Sequence, residues 1–171
     1  MKDVMDKVGG DRTVLDKILE AIPGYKSYSE AEERRDADKI QREYLANKMD
    51  QGKNSIDDVK EELLSNGVLD GLEDLDNISK LIERNANRIR YASYGMSGLF
   101  DTVKITNEDL EKMHAFDLAL IESVNSVLES LKKLGGLEGS DLKKEIRGMK
   151  STLEKFNQDF DQRGNMIKGV E

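Results

Sequence analysis

From residue 142 onward the chain places Leu142, Ile146, Met149, Leu153, Phe156 and Phe160 at alternating steps of four and three. Side chains at those intervals share one face of an α-helix, whereas a half-buried strand would repeat every second residue. Such a seam is coiled-coil-like, and it has to be covered by another helix. The same rhythm recurs upstream. Leu72, Leu75, Ile78, Ile82, Ala86 and Ile89 form one stripe, and Leu110, Met113, Leu120, Ile121, Val124, Leu128 and Leu131 form another. Alternating strand patterns are essentially missing.

A longer apolar series runs through the first half. Ala37, Ile40 and Tyr44 lie on one stripe; Leu45, Met49, Ile56, Val59 and Leu63 lie on a second, rotated by about 110°. Gly52 interrupts the second stripe, and Ser55-Ile-Asp-Asp58 resembles a capping box that would start a new helix there. The four-three spacing nevertheless continues through the glycine, and it predicts one helix over about 28–65. Pro23-Gly24, Asn66-Gly67 and Gly135-Gly136 are the breaks between elements. Asp70, Thr106 and Ser140 are the expected caps of the helices that follow the later breaks.

The expected architecture is all-α: an antiparallel helical bundle of four main helices over residues 27–171. A 1–26 segment precedes it, with a short amphipathic helix carrying Ile18, Leu19 and Ile22.

Composition narrows the chemistry. The chain has no cysteine and a single histidine, which excludes disulfide frameworks, zinc–thiolate sites and catalysis needing two histidines. Glu111 and His114 have the Glu-x-x-His spacing of di-iron bundles, but such a site needs a second copy. With 27 Lys and Arg against 35 Asp and Glu, the net charge is −8, which argues against nucleic-acid and anionic-membrane partners. No secretory or membrane-spanning run is evident, so a cytoplasmic location is expected. No cofactor motif is present.

Three groups of residues stand out. Asp117 occupies the middle of an apolar stripe, where an unpaired carboxylate would cost several kcal/mol. Arg84, Arg88 and Arg90 supply the most basic window of the chain, and they are the candidate partners for Asp117 because consecutive helices tend to pack together. Arg84 and Arg88 flank their stripe on one side and Arg90 on the other, so they do not converge as a nucleic-acid platform would require. Tyr91, Tyr94, Met96, Leu99 and Phe100 form an apolar-rich, glycine-punctuated stretch that is a candidate partner-binding site. Tyr44, Leu45 and Met49, at the rotation of the long helix's stripe, are the candidate oligomer contact.

These features lead to a non-enzymatic interaction or scaffold bundle, self-associating and with an unidentified protein partner. Two alternatives remain open: a bundle holding a small anionic or lipid-like ligand in its core, and an enzyme using Asp117.

Overall fold

Helix ends are set by local chemistry. The computed structural model describes residues 13–25, 31–92 and 106–168, with the side chains of 31–34 and 167–168 excepted. The first helix, α1 (Val14–Ala21), starts on a capping box in which Thr13 and Asp16 satisfy each other's backbone N–H groups. It ends at Pro23-Gly24, where Gly24 takes a positive φ of 81°. The long helix α2 (Ala31–Ser65) passes unbroken through Gly52. It stops in a Schellman motif: Val68 N–H donates to Leu63 C=O and Gly67 N–H to Leu64 C=O, with Gly67 at φ 74°.

The next helix, α3 (Leu72–Arg90), is entered through Gly71 at φ 89° with no side-chain cap. The expected cap, Asp70, instead pairs with Lys143. α4 (Asn107–Leu134) begins on the Thr106–Asp109 capping box. α5 (Gly139–Lys168) closes the chain, with Ser140 inside its first turn rather than before it.

Pairings between helices define the topology. α2 and α3 form an antiparallel hairpin, joined along their length by Lys60–Asp76, Lys53–Glu83 and Asp50–Arg90. α4 and α5 form a second, with Ser130 donating to Glu145 near the turn. The hairpins then dock with helices of like direction side by side. α2 lies along α4, and α3 lies along α5; α3 and α4 sit on a diagonal and make no helix–helix contact. The all-α bundle therefore stands, with antiparallel hairpins meeting across parallel seams.

The stripes close on one core. Leu45, Met49, Ile56 and Leu63 of α2 and Leu75, Ile78 and Ile82 of α3 belong to one buried cluster, and the α5 seam from Leu142 to Phe160 is buried throughout. α1 rests on α4, and Ile18, Ile22 and Tyr25 join the same core. No helix among the described residues is long and apolar enough to cross a membrane.

Gly52 explains why a glycine interrupts a long helix. A Cβ there would lie 3.0 Å from Leu128 Cδ2 and 3.5 Å from Leu131 Cδ1, so the missing side chain is what lets α4 approach α2. Helix propensity is sacrificed for that approach, at about 1 kcal/mol relative to alanine. Gly52→Leu is expected to push the hairpins apart and destabilise the fold by about 1–3 kcal/mol. A lowered urea midpoint with helical circular dichroism retained would register this; an unchanged midpoint would contradict the packing role.

Candidate functional site

The most unusual group in the molecule is a set of charges inside the core. Asp117 of α4 and Arg163 of α5 are both 0 % exposed, and Asp38 of α2 is 1 % exposed. Arg163 extends across the bundle diagonal. Its Nε donates to Asp117 Oδ1 at 2.5 Å and its Nη1 to Asp38 Oδ1 at 2.7 Å. The second oxygen of each carboxylate is also engaged. Tyr25 donates its hydroxyl to Asp117 Oδ2 at 2.8 Å, and Arg42 Nε donates to Asp38 Oδ2 at 2.8 Å. Arg42 then reaches the last carbonyls of α3, at Ile89 and Arg90. Two carboxylates and two guanidinium groups thus balance in charge, and the cluster ties together all four main helices and the α1 segment.

Asp117 therefore has a cation, but from a different helix than the basic window suggests. Arg84 is exposed; Arg88 donates to Asn157 and pairs with Asp161 on the surface; Arg90 pairs with Asp50. None of the three reaches Asp117, because α3 is diagonal to α4 while α5 and α2 border it. The signal for Arg163 lies in the sequence. It follows the α5 seam at Phe156 and Phe160 by the next step of three, so the helical spacing points it inward.

Other anticipated residues are placed as follows. Leu45 and Met49 are 0 % and 3 % exposed, packed within their own bundle, which removes them as an oligomer contact. α2 packs against two neighbours of the same chain, α3 and α4. Tyr44 is half-buried with Lys48 over its ring at 5.7 Å. Tyr91 is 77 % exposed, while Tyr94, Met96, Leu99 and Phe100 lie outside the described residues.

A second polar contact escapes periodicity reading. Asn85, fully buried on α3, donates to Leu153 C=O and accepts from Asn157, fixing the α3–α5 register. Gln41 is buried beside the charge cluster in sequence, and neither amide atom finds a hydrogen-bond partner among the described residues.

His114 is buried, and Glu111, one turn away, is exposed. No group of three or more His, Asp or Glu able to hold a metal ion occurs among the described residues. The void between Met49, Gly52, Ile82, Val124, Val127 and Leu153 measures about 10 Å³, at or below what one water needs. Two larger concavities are open grooves on the outside, one between α3 and α5 and one between α2 and α4.

Comparison with protein-family models, curated proteins and solved structures gives no match to this chain.

Removing one member of a buried charge set leaves the others uncompensated. Arg163→Met is expected to cost about 3–5 kcal/mol, and combining it with Asp38→Asn and Asp117→Asn should restore most of that loss. Chemical denaturation of the single and triple variants measures both.

Burial pushes the His114 imidazole below its ordinary value, against the upward pull of Asp117. The unfolded chain then takes up the proton first on acidification, so folded-state stability is lost as pH falls through about 6.5. Urea midpoints taken at about pH 7.5 and about pH 5.5 should fall more steeply for the native protein than for His114→Gln.

Proposed function

We propose that this chain is a non-enzymatic protein–protein interaction module, a preformed helical scaffold that presents its outer surface to a protein partner. The observation that carries this reading is the saturation of the interior charges. Asp38, Asp117 and Arg163 are sealed from solvent, and every carboxylate oxygen of the pair is bound by a donor from the same chain. A general acid or base must reach a substrate proton, and these groups have their reach taken up internally. Their chemistry suits a clasp that fixes one helix arrangement.

The alternatives gain less support. An anionic or lipid-like ligand in the core calls for a cavity of several hundred Å³, far larger than the void beside Gly52. Arg84 and Arg90, which could hold an anionic head group at a core mouth, lie on the outside of α3, with Arg90 turned to Asp50. Self-association through Tyr44, Leu45 and Met49 loses its apolar face to the chain's own core. The outer surface, by contrast, offers grooves between helices and exposed apolar side chains at Leu64 and Leu69. Such features are the raw material of helix-in-groove recognition.

The 171-residue chain, immobilised and exposed to extract from its native source, is expected to retain a defined protein partner identifiable by mass. The Asp38→Asn, Asp117→Asn, Arg163→Met triple variant, once shown to be folded, should retain the same partner. Loss of that partner by the folded triple variant, or retention of no protein by the native chain, would overturn the reading.

A further inference from the structure

The groove between α3 and α5 has a charge that contrasts with the rest of this acidic chain. Its floor is apolar, made by Ile78, Leu81 and Ile146, and its volume is about 360 Å³. Lys143, Arg147 and Lys150 line its α5 wall, against a single acid, Asp74, on the α3 wall. These cations stand at i, i+4 and i+7 of α5, a row about 10.5 Å long on one side of the helix.

Their charges are only partly answered by the chain itself. Lys53, Lys60, Arg88 and Arg90 on the α2–α3 hairpin each meet a carboxylate. In the groove, Lys143 pairs with the exposed Asp70 at 3.2 Å, whereas Arg147 and Lys150 make no ion pair among the described residues. Arg147 Nε only reaches back to the Lys143 carbonyl on its own helix.

An apolar anchor stands near one end. Gly71 packs against Leu142 and Ile146: a Cβ there would lie 3.2 and 3.1 Å from their methyl groups. That contact, with the Asp70–Lys143 pair, brings the α2–α3 corner to the start of α5. Leu69, in that corner, is 71 % exposed. The groove thus combines a row of cations at helical spacing, an apolar floor and an exposed leucine by its mouth.

The geometry points to the α3–α5 groove as the docking site for an acidic amphipathic helix of another protein, its carboxylates on Lys143, Arg147 and Lys150 and its apolar face on Leu81 and Leu69. This assignment rests on the interaction-module reading and names the partner chemistry. Charge complementarity selects the occupant: carboxylates at i, i+4 and i+7 of a helix repeat at the same rise as the three cations. A second copy of this chain would bring a net charge of −8 against another −8, and its approach is opposed at long range.

The test uses a synthetic helical peptide of about 20 residues, with Glu at i, i+4 and i+7 and Leu on the adjoining face. Its control has the same composition with the glutamates dispersed around the helix. Titration into the isotope-labelled 171-residue chain should shift amide resonances of α3 and α5, more weakly with the control. Lys143→Glu, Arg147→Glu and Lys150→Glu together should weaken binding at least tenfold, and the milder triple alanine variant should weaken it less while remaining folded. Millimolar inorganic phosphate should not displace the peptide at matched ionic strength.

Shifts that map elsewhere, equal binding by the charge-reversed chain, or no binding would overturn the assignment. So would tight binding of single-stranded oligonucleotide to the same residues. A doubled molar mass of the chain alone that returns to 19.3 kDa on charge reversal would also overturn it, by making a second copy the occupant. Retention of the native partner by the folded charge-reversed chain would reject the groove while leaving the module reading intact.

Discussion

The guanidinium of Arg163 is the constraint around which the bundle is organised. Hydrophobic burial alone would accept several arrangements of four amphipathic helices, since apolar stripes slide and exchange neighbours at modest cost. A buried cation is less permissive. Arg163 must find Asp117 on the adjoining helix and Asp38 on the diagonal one at the same depth, or leave charges stranded in the core. Tyr25 and Arg42 complete the two carboxylates, so the position of the leading segment and the end of α3 follow from the same condition. This specificity comes without a clear gain in stability, because removing two carboxylates and a guanidinium from water costs much of what their pairing returns.

Periodicity is sufficient to recover the helices. The α5 seam, the α3 stripe and the passage of α2 through Gly52 follow from side-chain spacing, and the Thr106–Asp109 box marks the start of α4 without reference to anything distant. These are local properties, set within one or two turns. Failures are confined to choices between neighbours. Asp117 advertises that it needs a cation, but whether that cation comes from α3 or α5 depends on which helix borders α4. Docking of like-directed helices across the hairpins answers that, and no short-range signal encodes it.

Leu45 and Met49 illustrate the same limit. A stripe that rotates partway along a helix can face outward toward another molecule or inward toward a second neighbour in the same chain. The deciding factor here is Gly52, whose missing side chain brings α4 close enough to receive the rotated face. Asn85 shows the converse: a polar residue interrupting an apolar stripe looks like a defect until Asn157 and the Leu153 carbonyl are placed opposite it.

The parallel seams also shape the backbone's own electric field. In a bundle whose neighbours all alternate, each helix end lies beside ends of opposite polarity. Here the amino ends of α3 and α5 share one edge, and the carboxyl ends of α2 and α4 share the edge facing them. Their partial charges of about half an electron segregate rather than interleave. Glu73, Asp74 and Asp141 in the first turns temper the positive edge, and Lys132 and Lys133 in the last turn of α4 temper the negative one. At this end of the bundle the polarity runs across its width, and at the opposite end it runs the other way, so a charged helix approaching either end would feel a torque that turns it before contact.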